Sequence, residues 1–554
     1  MSATSESGSS LRRSADEAPV AAEPAVVQPE PMSPPKAALY MAASVLLFVT
    51  QGLGMNLLNA NIYQLQGSLS ATTTEIAWLS AAYIAPYASV SIALFKIRSQ
   101  YGLRSFAQLG IICFVFASVL NLFVSDLHSA IVVRFLSGLT AAPLSTLGFL
   151  YMLEAFPPAR KLSVGLSLAL LNTTLSAPIA RIISPPLMDL GGWQALYTFE
   201  MGLALIALPI VYILPLTAPP RAAVIQRMDI LSYLLLAIGF GCLAVVLTLG
   251  RIYWWFEAPW LGVLLVAAII ALTAMCVLEL PRKTPLVDLR WLFTRDNMHM
   301  AGILLLFRIV SSEQTTTAAN FYMQLGLLNE QTQIMYAVIL LASILGGLVC
   351  TALMMTRYVE TAHALALVLI AAGAYLDSQS TILTRPEQMY LSQAMVAAGA
   401  AMFLPPVMAK GFAAALAKGV PYIVNFLVIF LFTQSIGALC ASAALGTFVT
   451  IREKFHSNVL VEHILLTNPL VSERVSQLSS AYGKVVSDVS LLHAEGLVLL
   501  GQQVTRQANV LAYNDAFLVI SIAATTGLVL LLGHLAWSRL LAPRIADPAV
   551  AIRS

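Results

Sequence analysis

The chain has 554 residues, of which 59% are hydrophobic and 10% charged, and its formal net charge is +3. An ordinary soluble domain is about 25% charged, so this composition, with a mean hydropathy of +0.82, excludes a soluble globular fold. What remains is an all-α protein whose chain crosses a bilayer many times.

Residues 1–36 are rich in Pro, Ala, Ser and Glu and are expected to form a disordered cytoplasmic tail. The first apolar run, 37–63, is too long for a signal-peptide core and has no cleavage pattern after it. It is expected to stay as the first membrane helix. A span needs about 20 mainly apolar residues. Fourteen runs qualify, at roughly 38–62, 75–95, 106–125, 129–153, 163–188, 195–216, 229–250, 259–280, 298–323, 333–356, 362–382, 387–409, 420–450 and 514–538.

Lys and Arg alternate with that count. With a cytoplasmic N-terminus, the inside segments carry 20 of them, among them Lys96, Arg98, Arg160, Lys161, Arg282, Lys283, Lys410 and Lys418. The short outside loops carry only Arg251 and Arg385. This bias sets orientation by the positive-inside rule, and both termini are expected in the cytoplasm. One outside segment, 453–513, is long. Within it Val471, Val475, Leu478, Tyr482, Val485, Val489 and Leu492 recur at steps of four and three, an amphipathic helical stripe. Trp254 and Trp255, in an outside loop, have the character of interface anchors.

Several stretches then resemble one family. The link ELPRKTPLVDLRWLFTRDNM carries Pro285, Leu286, Asp288, Leu289, Arg290 and Phe293. QSIGALCASAALGTFVTIREKFHSNVL carries Ser435, Ile436, Gly437, Arg452 and His456. GQQVTRQANVLAYNDAF leads into the last span, and VVRFLSGLTAAPL carries Arg134 and Gly138. In this order and spacing they resemble the fourteen-helix drug:proton antiporters of the major facilitator superfamily, the EmrB/QacA-like exporters. The resemblance implies a 37–218 six-helix bundle, an inserted helix pair with its cytoplasmic link over 219–297, and a second bundle over 298–541 that includes the periplasmic loop 453–513. A cytoplasmic tail, 542–554, would follow. In such a fold two bundles rock about a central site near the midplane.

The chain departs from the family pattern at three places. The helix-one Asp is replaced by Gly54, in QGLGMNLLNANIYQ. The acid of the helix two–three motif is missing from FKIRSQYGLRS. The glycines of the helix-five motif are missing from APIARIISPPLMDL, where Arg181 appears instead.

Six ionisable residues fall inside the expected spans away from their ends: Arg134, Arg181, Arg308, Glu200, Glu313 and Asp377. Each costs about 2.5–3.5 kcal/mol at a helix centre on insertion scales, so each must pair or face water. In ILLLFRIVSSEQTTTAANFY, Arg308 and Glu313 are five residues apart, about 140° around a helix. They should therefore find partners on other helices. Gln314 and Asn320 add polarity to the same helix. Glu313, Glu200 and Asp377 are the candidate proton-coupling acids. Arg134, Arg181, Arg308, Gln314 and Asn320 are candidate cavity residues, with Glu200 a candidate partner for Arg134.

The chain shows no P-loop, nucleophile elbow or metal-ligand spacing. An enzyme, a cofactor and a nucleic-acid partner are therefore not expected, and an ion gradient must supply the energy. The function expected is proton-driven efflux of small amphipathic compounds or drugs, anionic or aromatic ones included, across the bacterial inner membrane. A periplasmic membrane-fusion adaptor and an outer-membrane channel are candidate partners. An uptake symporter of the same fold, or a receptor or scaffold that does not transport, stays open as an alternative.

Overall fold

In the computed structural model, residues 32–217, 221–356, 358–465, 467–485 and 487–545 are described. The tail expected over 1–36 therefore falls mostly outside the described residues, as does most of 542–554. Among the described residues every regular element is helical.

The first helices are α1 (Pro34–Ala60), α2 (Thr73–Tyr101), α3 (Leu103–Leu120) and α4 (Leu127–Glu154). Their ends are written locally. Thr72 and Glu75 form a reciprocal capping box that starts α2, satisfying two donors that the first turn leaves open. Asp126 and Ser129 do the same for α4. The Ser129 hydroxyl and neighbouring backbone N–H groups hold the Asp126 carboxyl below its ordinary range.

Next, α5 (Leu166–Ile213) runs on through the loop expected between spans five and six. It bends at Gly191 and Gly192, and Gly192 has φ +61°, a conformation that costs only glycine little. The bend divides α5 into two arms of membrane length. The inserted pair is α6 (Arg227–Leu249) and α7 (Pro259–Glu279).

The second half begins with α8 (Arg295–Ser312), a π-helical turn at Glu313–Ala318 and the short α9 (Ala319–Gln324). It continues through α10 (Asn329–Met354), α11 (Val359–Asp377), α12 (Tyr390–Lys418) and α13 (Val420–Phe432). A second π turn, Thr433–Gly437, leads into α14 (Ala438–Glu462). The last helices are α15 (Pro469–Ser480) and α16 (Val489–Ile545).

Twelve helices among the described residues are long and apolar enough to cross a membrane. One of the twelve spans both arms of α5, while the helix running from α8 to α9 is not among them. Counting each arm, and that helix, is consistent with the fourteen expected.

Two main cores separate along the chain. One gathers Leu47, Phe106, Phe114, Leu147 and Tyr151 from α1, α3 and α4. The other gathers Phe307, Ile370, Phe403, Phe426 and Ile520 from α8, α11, α12, α13 and α16. Since lipid tails are as apolar as Leu, association here depends on close packing. α11 and α12 show it: a Cβ on Gly373 would lie 2.7 Å from Ser392 O, and one on Gly399 2.8 Å from Ala366 O. That approach brings Asp377 against the Ser392–Gln393 turn.

The inserted pair is tied down by charge. Lys96 Nζ reaches Asp229 at 2.9 Å, and Arg282 reaches Asp229 and Glu279 at 2.6 Å each. Two cations and two anions cancel, and Glu279 also accepts from Ser232 and from the Leu286 N–H. The cluster joins α2, α6, α7 and the link that follows. Trp255 extends the join at the other end of the pair: its indole N–H donates to Thr447 of α14 at 2.9 Å. This inward bond goes beyond the interface anchoring expected for it.

The stripe expected over 471–492 does not form one helix. The chain turns at 481–488, so the segment is a helical hairpin in which α15 packs on α16. Val475 and Ser479 are buried there, and a Cβ on Gly496 would lie 2.2 Å from Ser479 Oγ. Tyr482, Val485 and Val489 stay exposed. Period alone could not locate this break, because a hairpin keeps the same spacing on each arm. α16 has 57 residues and is therefore about 85 Å long, far more than a hydrocarbon core of about 30 Å. Its first part stands beyond the bilayer. Asp515 clasps its base, accepting from Arg452 Nε at 2.6 Å and contacting His456 Nε2 at 2.7 Å.

Candidate functional site

The charges of the apolar spans do not gather in one place; they fall into four groups. The first is acidic. Glu313 opens the π turn after α8 and is fully buried, and Asp377 ends α11 with 1% of its surface exposed. Their carboxyl groups share one donor. The amide nitrogen of Gln393 donates to both, at 2.9 Å to Glu313 Oε1 and 2.8 Å to Asp377 Oδ2. Ser392 Oγ donates to Asp377. Gln314 Nε2 reaches Gln393 O at 3.2 Å.

The second oxygen of Glu313 is buried and faces no donor, and the hydroxyls of Thr317 and Tyr322 are likewise buried without a hydrogen-bond partner. The Tyr322 hydroxyl is within electrostatic range of both acids. Glu313 was given a partner on another helix by the sequence, without its being named; that neighbour is a second acid, Asp377 of α11, joined to it through Gln393 of α12.

The second group surrounds Gly54. Arg134 is 2% exposed; its Nη1 donates to Gly54 O at 2.6 Å and its Nη2 to Tyr197 Oη at 3.4 Å. Its guanidinium lies over the Tyr197 ring, 5.4 Å from the centroid. Glu200, on the second arm of α5, is within electrostatic range of Arg134 but forms no ion pair with it. The direct pair expected between them is thus replaced by convergence on one glycine. A Cβ at position 54 would lie 2.8 Å from Glu200 Oε1. The Glu200 carboxylate stands where a side chain at position 54 would begin.

The third group lies where α5 meets α10. Arg181 Nη1 donates to Asn329 Oδ1 at 3.0 Å, and its guanidinium lies 5.2 Å from the Tyr336 ring centroid. Asn329 donates in turn to Asn61 Oδ1 at 3.2 Å, and Asn61 donates to Ser184 at 2.8 Å. Toward the opposite end of the same two helices, Thr351 donates to Ser167 at 2.9 Å. A polar seam thus joins the two halves of the chain.

The fourth group is Arg308 with Gln434. Arg308 Nη2 donates to Gln434 Oε1, and Arg308 lies on a different face from Glu313, as the helical angle requires. Asn320, on α9, is half-buried and takes part in none of these contacts. Gln393, Tyr322, Tyr336, Gln434 and Asn329 escaped the sequence analysis because a lone Gln, Asn or Tyr in an apolar run carries no signal of what it faces.

A bundle of apolar membrane-length helices with buried charges at its helix contacts is the architecture of a membrane transporter. The Major Facilitator Superfamily model matches residues 44–452, and the chain belongs to that family. Over 282 residues, 48% of this chain and 53% of the relative, it is 27% identical to the fatty acid resistance protein FarB of Neisseria gonorrhoeae. Over 266 residues, 47% of this chain and 50% of the relative, it is 26% identical to the multidrug export protein EmrB of Haemophilus influenzae. The matched stretches span about half the length of these relatives. The fold is also similar to the solved structure of a bacterial homologue of the human drug peptide transporters PepT1 and PepT2. There the TM-score is 0.55, identity 12%, and coverage 91% of this chain and 99% of that one.

Proposed function

We propose that this protein is a proton-driven exporter of small amphipathic compounds in the bacterial inner membrane, with both termini in the cytoplasm. The units that rock are residues 37–218 and 298–541, and the pair within 219–297 rides on the first. The observation that carries the coupling assignment is the Glu313–Asp377 pair held on one amide. Two buried carboxyls held on one amide, without a cation, are tolerated only if the pair carries a proton. Such a pair must gain and lose that proton when the cavity changes sides, so its loading depends on the gradient. Export is favoured over uptake by the relatives, a fatty acid resistance protein and a multidrug export protein.

The energetics permit it. One proton crossing about 100 mV contributes about 2.3 kcal/mol, and one pH unit adds about 1.4 kcal/mol. The sum supports a substrate gradient of several hundredfold. The hairpin of α15 and α16 exposes Leu470, Val485, Val489, Leu491 and Val498 beyond the bilayer. Apolar side chains in that position favour a protein partner, and a periplasmic membrane-fusion adaptor leading to an outer-membrane channel suits an exporter.

The test uses full-length protein in vesicles with an imposed pH gradient, and ethidium and taurocholate as permanently charged tracers. Tracer movement against its own gradient, abolished by a protonophore, is expected. Movement that is indifferent to the protonophore would exclude proton coupling.

A further inference from the structure

Of the three arginines in the apolar spans, Arg134 is buried and Arg181 and Arg308 are half-buried, and Arg308 stands apart from the other two. Arg134 has Glu200 within electrostatic range, and Arg181 has Asn329 and a tyrosine ring. Arg308 has no carboxylate near it; its polar neighbours are Gln434 and the Tyr87 hydroxyl. Gln434 Oε1 is already used by Arg308 Nη2. Two donors are left over: Arg308 Nε and Gln434 Nε2 are both buried and have no acceptor. A full positive charge with two adjacent unsatisfied N–H groups is costly away from water. What the pocket lacks is an acceptor carrying negative charge.

The surroundings show where that acceptor would come from. Arg308 and Gln434 belong to the second half of the chain, while Tyr87 and Ser145, which it meets, belong to α2 and α4 of the first. All four are half-buried, so the group lies at the contact between the halves without being sealed off. Four residues on from Ser145 in α4 and four before Gln434, at the end of α13, Phe149 and the buried Phe430 meet edge to face across the halves, with centroids 6.5 Å apart. A cationic, donor-rich head therefore continues into an aromatic wall. Planar Arg forks match carboxylates bidentately.

We propose that Arg308, Gln434 and Tyr87 form the binding site for the anionic headgroup of the substrate, with its apolar tail along Phe149 and Phe430. The substrate class is then an amphiphile with one carboxylate. This rests on the transporter reading above and names the chemistry of its cargo. The headgroup supplies the missing acceptor and neutralises Arg308. It also bridges helices of the two halves, so that binding is felt by both.

The test measures binding, which does not require transport. The full-length protein is placed in phosphatidylcholine nanodiscs, and affinity is measured for dodecanoate and for its uncharged methyl ester. Wild type should bind the acid at least tenfold tighter than the ester. Arg308→Gln should reduce that ratio to near one while keeping ester affinity. Gln434→Glu keeps the arginine and installs a carboxylate beside it, so it should also abolish the preference. An equal affinity of wild type for acid and ester would overturn the proposal. So would a preference that survives in both variants. Intact selectivity in a protein that moves no tracer would fault the transport reading and leave this site standing.

Discussion

Glu313 and Asp377 accept hydrogen bonds from the same nitrogen, the side-chain amide of Gln393. That nitrogen has two N–H groups, and each carboxyl takes one. Gln393 is thus a positioning residue: it fixes the distance between two acids that would otherwise repel. Gln393→Leu should leave both carboxyls without that donor. The expected cost is about 1–3 kcal/mol of stability for each unsatisfied buried group, read as a lower midpoint in thermal unfolding. An unchanged midpoint would mean the amide does not hold the pair.

Gly54 and Glu200 compete for one volume. Gly54→Asp should reduce the yield of monodisperse protein, because it sets a second buried acid against Glu200, whose Oε1 lies 2.8 Å from the new Cβ and must swing aside. Glu200→Ala in the same chain should restore the yield by vacating that space. Size-exclusion profiles of the single and double variants decide the matter. A single variant as well behaved as wild type would show that the two positions do not overlap.

Arg282 is 12% exposed as a side chain and serves both Asp229 and Glu279. Arg282→Ala should leave two acids against Lys96 alone. Removing one partner from a buried ion network costs about 3–5 kcal/mol, and the loss should appear as detachment of the inserted pair. A disulfide engineered between α2 and α6 should rescue thermal stability. A variant that unfolds at the wild-type temperature would show that the cluster contributes little.

The outer hairpin rests on Gly496, where there is room for hydrogen alone. Gly496→Leu should lift α15 off α16 and expose 469–480 to protease while the membrane part stays folded. Removing residues 465–500 should go further and abolish co-purification with a membrane-fusion adaptor, without loss of insertion. Retained co-purification with the deleted protein would reject the hairpin as the docking element.

The fold was largely legible in the sequence because its determinants are local and repeated. Apolar runs of membrane length and capping pairs such as Thr72 with Glu75 each mark an element by themselves. The candidate charges were legible too, since an Arg or Glu in an apolar run is conspicuous. Their partners were not. Helical angle alone excluded Arg308 as the neighbour of Glu313 on one face, but it could not supply Asp377, which arrives through the packing of α11 on α12. The π turn at Glu313 and the bend at Gly192 also break the regular period on which a sequence count depends. The same limit applies to 471–492, where one stripe became two arms.

The central claim is that Glu313 carries the coupled proton, and Glu313→Gln tests it most directly. The amide resembles the protonated acid in shape and charge but cannot release a proton. In vesicles with an imposed pH gradient, the variant should fail to concentrate ethidium or taurocholate. It should still exchange labelled for unlabelled tracer across the membrane when no gradient is present. If Glu313→Gln builds the same tracer gradient as wild type, the acid pair does not couple transport to protons and the assignment is wrong.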